Sequence, residues 1–260
     1  MNILDKIVND KRKEVALRKS IIPTSQLEGS VLFERQTVPL AGNLKQSKSG
    51  IIAEHKRRSP SRSVINNTLN VQDVASGYDH AGVCGMSVLT DGKYFGGSLD
   101  DLLIARASCN LPLLRKEFII DEYQLLEAKA HGADVILLIA AILTRAEIKQ
   151  FSEFAKGLNL DVLLEVHNEE ELHKSLMPSL DMLGVNNRNL KTFEVSLETS
   201  KSLSKLIPDD FVKVSESGIS NIEAIKELQP YGYQGFLIGE NFMKTDDPGM
   251  HAKEFIKGLL

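Results

Sequence analysis

Apolar residues gather along this chain in short runs separated by longer amphipathic stretches. The runs are Ile51 to Ala53, Met86 to Leu89, Leu113 to Leu114, Val135 to Ile139, Val162 to Val166, Met182 to Val185, Phe211 to Val214 and Phe236 to Ile238. They are rich in β-branched residues and too short for helices, so each reads as a strand. They recur about every 26 residues, which leaves room for a strand, two loops and a helix of about three turns, the period of a βα unit. Between them the spacing turns helical. In DEYQLLEAKAHG, Tyr123, Leu126 and Ala130 share one stripe, and Gly132 is placed to end the helix in a left-handed conformation. The same junction of glycine, polar step and apolar run occurs after Gly82 and Gly232.

Strands without alternating polar residues are buried on both faces, which predicts a parallel sheet covered by helices. Eight such units in 260 residues fit a closed (β/α)8 barrel, the TIM barrel of the α/β class. An open doubly wound sheet would carry a glycine-rich fingerprint after its first strand, and neither GxGxxG nor GxxxxGK[ST] occurs. Residues 1–260 are therefore expected to form a single barrel domain, with residues 1–48 as an N-terminal helical extension packed on it. Leu4, Ile7, Val8 and Val15 form the apolar stripe of that extension, and Lys11 to Lys13 are expected on its solvated face. PLAGNLKQSKSG, with Pro39, Gly42 and Gly50, reads as a connector.

Composition narrows the functional classes. Lys and Arg total 31 against 35 Asp and Glu, a formal charge of −4, so no broad basic surface for nucleic acid is expected. Cys84 and Cys109 cannot build a disulfide framework and match no metal spacing, which suits reduced thiols in a cytoplasmic protein. The amino terminus mixes acids and bases and does not read as a targeting segment. The longest apolar run, Val135 to Leu143, is about half the roughly 20 residues that span a bilayer, so no membrane partner is expected. The six histidines are scattered without HExxH or an obvious carboxylate partner at ligand spacing, so no metal site is expected.

In this architecture chemistry sits at the C-terminal ends of the strands. Here those ends are charged: IIAEHKRRSPS, LLRKEF, LLEVHN, LGVNNRNL and VKVSESGIS. Side chains alternate along a strand, so Glu54 shares a face with Lys56, Lys116 with Phe118, and Asn186 with Arg188. With Glu165 and Glu216 on the same inner side, three acids and three bases would meet at one mouth, and His55 would face the helices. Burial or neighbouring cations would lower a lysine's pKa toward the working pH, which suits acid and base catalysis on a small molecule. Gly218 lies between Ser217 and Ser220, where backbone N–H groups can face an anion and Ser220 can cap the next helix. Gly239 in LIGEN offers a second such turn, and loops after strands seven and eight often hold phosphate. A bulky residue at position 239 is expected mainly to weaken substrate affinity.

Taken together and in order, AEHKRRSPS, SVLTDGKYFGGSLDDL, LLRKEFIID, HGADVILLIAAIL, LLEVHNEEEL, GVNNRNL, VSESGIS and FLIGENFM resemble the indole-3-glycerol phosphate synthase family, nearly end to end. The resemblance implies a (β/α)8 enzyme that closes 1-(2-carboxyphenylamino)-1-deoxyribulose 5-phosphate to indole-3-glycerol phosphate, losing carbon dioxide and water. It implies no metal and no organic cofactor. It places the general acid on Lys116, a second active-site lysine on Lys56, and catalytic glutamates on Glu54 and Glu165, with Glu165 as the base in dehydration. Asn186 and Ser217 fall on the remaining polar active-site positions, Ser59 and Arg188 on anion contacts, and Phe95 and Phe118 on residues packing against the substrate. Gly218, Gly239 and the Glu240 amide would hold the phosphate. The expected partner is this phosphorylated small molecule, and the expected assembly a monomer or weak homodimer.

The chain departs from the family's usual residues at His55, Ser63, Glu117 and Glu240. The first and third alternate away from the reactive face, so they should affect packing more than chemistry. A carboxylate at Glu240 would repel a phosphate unless turned outward. Two other readings compete: another phosphosugar barrel, such as a phosphoribosyl isomerase, and an inactive barrel that only binds. The pairing of Lys56 with Lys116 argues against the first, and an intact set of buried charges argues against the second.

Overall fold

All eight apolar runs form strands in a computed structural model that describes residues 3–190 and 192–260. Residues 1 and 2, at the start of the expected extension, lie outside the described residues. The strands are β1 (Ile51–His55), β2 (Gly85–Leu89), β3 (Leu113–Lys116), β4 (Val135–Ile139), β5 (Asp161–Val166), β6 (Met182–Asn186), β7 (Val212–Glu216) and β8 (Tyr233–Ile238). Each pairs in parallel with the next, and β8 closes on β1. The barrel is preceded by α1 (Ile3–Ile21), α2 (Thr24–Glu28) and α3 (Leu40–Gln46). Between strands run α4 (Val71–Ala81), α5 (Gly92–Phe95), α6 (Leu99–Ser108), α7 (Tyr123–Ala130), α8 (Arg145–Gly157), α9 (Glu169–Ser175), α10 (Glu198–Ser204) and α11 (Ile222–Leu228), with α12 (Glu240–Met243) and α13 (Pro248–Leu259) closing the chain.

Several strands run past the last apolar residue, through His55, Lys116, Asn186 and Glu216. Backbone pairing does not stop where side chains turn polar, so the apolar runs understate the ladder. Parity sorts the side chains into two layers. Ile51, Ala53, Met86 and Leu138 join the helices in one cluster, while Ile52, Leu114, Leu137, Leu163, Val214 and Leu237 fill the barrel interior. Gly82, Gly132 and Gly232 all have positive φ, at 78°, 85° and 83°, so the repeated junction is a left-handed helix exit.

Two expectations about the periphery need correction. The connector is a helix, α3, whose Leu40 and Leu44 are fully buried against interior residues including Ile52 and Val212. It closes the floor: the Ala41 N–H donates to Asp161 Oδ2 at the start of β5 (3.0 Å), and a Cβ on Gly85 would meet Leu40 Cδ1 at 2.6 Å. Two leucines four apart between Pro39 and Gly50 carry too little periodicity to announce a helix. The stripe Tyr123, Leu126 and Ala130 does share one face, which packs on Val15 and Leu27 of the extension, while Leu125 and Ala128 of the same helix join the barrel's helical layer.

Lys11 is the second. It is buried, 2% exposed, with Nζ 2.9 Å from Asp91, 3.0 Å from Glu117 and 2.8 Å from Glu14. Local periodicity cannot show that carboxylates from β2 and β3 loops converge on one helix face. Among the described residues no helix is long and apolar enough to cross a membrane, and both cysteines are free and buried.

Candidate active site

The interior parity continues upward into chemistry. On β1 the series is Ile52, Glu54, Lys56; on β3 it is Leu114, Lys116, Phe118; on β5, Leu163, Glu165; on β6, Gly184, Asn186, Arg188; on β7, Val214, Glu216, Gly218. Registers Glu54↔Ser87, Leu89↔Lys116, Ile139↔Glu165 and Asn186↔Glu216 set these side chains at similar heights. Glu54, Lys56, Ser59, Phe95, Lys116, Phe118, Glu165, Asn186, Arg188, Ser217, Gly218, Gly239 and Glu240, the expected set, all line one cavity of about 410 Å³. That volume suits a small-molecule ligand.

Lys116 is the hub. Its ammonium is ion-paired with Glu216 and lies 3.4 Å from Glu165 Oε2. Lys56 Nζ donates to Glu54 Oε1 at 2.6 Å, and Ser87 Oγ donates to Glu54 Oε2 at 3.3 Å. Glu165 Oε1 accepts from Asn186 Nδ2 at 3.0 Å. Glycine at 184 makes room, since a Cβ there would stand 2.4 Å from Glu216 Oε1.

These contacts overturn one expectation about proton affinity. Burial pushes Lys116 down, but Glu216, Glu165 and Glu54 together outweigh it and hold the ammonium above the usual lysine value. The acids separate. Burial raises Glu165 and Glu54, but the neighbouring cations, Lys116 for the first and Lys56 for the second, bring both below the usual carboxylate value. Glu216 goes the other way: burial, with Glu165 and Glu54 nearby, lifts it to about 7 despite Lys116. His55 is buried off the reactive face, and burial with Arg57 nearby pushes it down to about 4.

One wall is apolar: the Phe95 and Phe118 rings stand 5.9 Å apart, and Ile3, Leu4 and Ile7 of α1 roof the cavity. The opposite wall carries the two turns. Ser217 and Gly218 both have left-handed backbones, φ 66° and 80°, and Asn187 Nδ2 pins the Ser217 carbonyl at 3.1 Å. Ser220 does not cap the next helix; Asn221 does, accepting from the Ala224 N–H at 2.9 Å. Ser220 instead lines the cavity. The Glu240 carboxylate is paired with Arg62 of the loop after β1, so its charge is answered locally.

Gly239 has a steric reason to be glycine in addition to the anion-turn role its sequence context suggests. Its φ is −114°, which any residue adopts, but a Cβ would lie 2.5 Å from Glu54 Oε1. Gly239→Ala is therefore expected to cut kcat by about tenfold or more by moving Glu54, as well as raising KM. Steady-state kinetics separate the two, and a rise in KM alone would contradict this.

Sequence reading missed His167. The scattered histidines offer no carboxylate at metal-ligand spacing, yet His167 Nε2 lies 3.3 Å from Glu165 Oε1 and Nδ1 3.1 Å from Glu171 Oε2. The signal existed: His167 follows Glu165 by two residues, the spacing that pairs Lys56 with Glu54. Glu216, inward by parity, lay outside the residues that the family resemblance supplied, and Lys244 joins the anion wall unannounced. No cluster of metal-binding side chains occurs among the described residues.

Comparison with known proteins adds three findings. The sequence profile of the family described as "Indole-3-glycerol phosphate synthase" matches residues 4–255. The chain is 46% identical over 262 aligned residues to the indole-3-glycerol phosphate synthase of Bacteroides thetaiotaomicron, covering 99% of each, and 40% identical to that of Bordetella pertussis, covering 98% and 99%. Among solved structures, 3-hexulose-6-phosphate synthase from Salmonella typhimurium superposes with a TM-score of 0.64 at 14% identity, over 81% of this chain and 98% of that one, a likeness of fold.

Proposed function

The chain belongs to the indole-3-glycerol phosphate synthase family, and from that premise we propose how its own residues carry the reaction. The activity is that of a carboxy-lyase of tryptophan biosynthesis. The substrate's aromatic carbon bearing the carboxylate attacks the ketone, carbon dioxide leaves, and the resulting hydroxyl departs as water to complete the indole.

Lys116 is the general acid. Its ammonium, held between Glu165 and Glu216 at the centre of the cavity, is the observation that carries this reading. An ammonium kept protonated by three carboxylates can meet the ketone oxygen as negative charge develops there. Glu165 is the base in dehydration: Oε1 is occupied by Asn186, which leaves Oε2 turned toward Lys116 and the reacting atoms. Lys56 and Arg188 orient the carboxylate that is to be expelled, with Glu54 holding Lys56 in place. Phe95 and Phe118 take the aromatic ring, Ser59 faces the same space from the loop above, and the Ser217–Gly218 and Gly239–Glu240 turns take the phosphate beside Lys244.

The test is direct. Purified protein given the carboxyphenylamino-deoxyribulose phosphate should produce indole fluorescence and carbon dioxide; folded protein without turnover would remove the reading. Glu165→Gln is expected to lower kcat by about 10² or more with KM little changed. Wild-type turnover in that variant would take the base role from Glu165.

A further inference from the structure

Glu165 is held from behind by a residue that has no role in the scheme above. His167, at the end of β5, is 11% exposed at its side chain and stands between Glu165 and Glu171 of α9. Glu171 is itself locked: Oε2 accepts the His167 backbone N–H at 2.8 Å, and Oε1 accepts Asn168 Nδ2 at 3.0 Å. Asn168 in turn caps α9 through the Glu171 N–H at 2.9 Å. The turn thus fixes the imidazole plane, and the ring presents Nε2 to Glu165 Oε1 at 3.3 Å. Nε2 has no aligned hydrogen-bond partner among the described residues, so this contact is ionic more than directed.

We propose that His167 is a positioning residue for Glu165, clamped by Glu171 so that its Nε2 edge holds Oε1 and leaves Oε2 to face the reacting atoms. The proposal rests on the base role assigned to Glu165. Asn186 approaches Oε1 from β6 and Lys116 approaches Oε2 from β3, so the two oxygens have distinct surroundings. The charged groups facing this pair are Glu171 from α9, Lys116 from β3, Arg188 from the end of β6 and, across Lys116, Glu216 from β7. Once Lys116 has given up its proton in ring closure, Glu165 loses that counter-charge before its own step, and it must stay ionised to act as base in dehydration. A cation at His167 remains beside it. Burial lowers the imidazole's proton affinity, but the contacts with Glu165 and Glu171 outweigh it and hold His167 up at about 10, so the cation persists through neutral pH.

Ring-nitrogen NMR titration and steady-state kinetics on His167→Gln, His167→Arg, Glu171→Gln and Glu165→Gln test this. His167 should stay protonated past about pH 9 in the wild type and titrate at least about one unit lower in Glu171→Gln. His167→Gln should lose about 10- to 100-fold in kcat with KM within about twofold, and His167→Arg, a permanent cation, should recover part of the loss. A wild-type imidazole that titrates in the ordinary range, an unchanged kcat in His167→Gln, or a KM that rises as far as kcat falls would overturn the proposal. Should His167→Gln fail to fold, an unchanged kcat in folded Glu171→Gln would overturn it equally. Glu165→Gln separates the two layers: if it is inactive while His167→Gln turns over normally, the positioning role alone fails; if it is active, the base assignment fails.

Discussion

Lys116→Met is expected to lower kcat by about 10³ or more, within the range for removing a well-placed acid, while the protein still folds. The side chain carries both the transferable proton and the positive charge that the developing oxyanion needs, and no other cation is placed between Glu165 and Glu216 among the described residues. Lys116→Arg is the informative companion. It keeps the charge but cannot release a proton near neutral pH, so activity should remain low. Substrate-dependent indole fluorescence measures both, and more than about a tenth of wild-type kcat in either variant would remove Lys116 from the acid role.

The same substitution has a stability signature. Glu216 in the folded protein already holds its proton up to about 7, above the usual carboxylate value, because it is buried near Glu165 and Glu54. A group raised on folding binds more protons folded than unfolded between its two values, so stability falls as pH rises through that window. Without Lys116, Glu216 and Glu165 would have to ionise side by side, and the window extends upward. Urea unfolding at about pH 6 and about pH 8.5 should show a larger loss in Lys116→Met than in the wild type. Equal losses would mean that Lys116 does not set the charge state of Glu216.

Lys11→Met is expected to cost about 3 to 5 kcal/mol of stability, the scale for stranding a buried carboxylate, here Asp91, while Glu117 keeps Arg115 at 3.7 Å. Asp91 and Glu117 are 1% and 3% exposed, and Lys11 is the cation within 3.0 Å of both. The damage should also reach the substrate wall. Asp91 accepts from the Tyr94 N–H at 2.6 Å and the Phe95 N–H at 3.3 Å, and Glu117 accepts from the Phe118 N–H at 2.8 Å. Lys11 therefore pins the N-terminal helix to the elements that carry both aromatic rings. KM should rise more than kcat falls. The double variant Lys11→Met/Asp91→Asn should recover part of the stability, since the stranded carboxylate is gone. A surface lysine would give a change within about 0.5 kcal/mol, which urea unfolding distinguishes easily.

Much of the architecture was legible in the amino-acid order because burial on both faces writes each strand as an apolar run and each helix exit as a glycine. Alternation alone put Glu54, Lys116, Glu165, Asn186 and Glu216 on one inner face, since a strand repeats every two residues whatever it pairs with. What local pattern could not carry is which charges meet. Lys11 looked solvated until β2 and β3 loops brought Asp91 and Glu117 to it. Ser220 reads as the cap of the next helix in sequence, and the backbone path gives that place to Asn221. Lys116 was expected to lose proton affinity through burial, and three carboxylates from three other strands reversed the sign. Gly239 reads in sequence as an anion-facing turn, and only the folded chain adds that the absence of a Cβ there clears space for Glu54. Periodicity is a property of neighbours along the chain and is read there; ion pairing and steric clearance depend on distance through space, which only closure of the barrel decides.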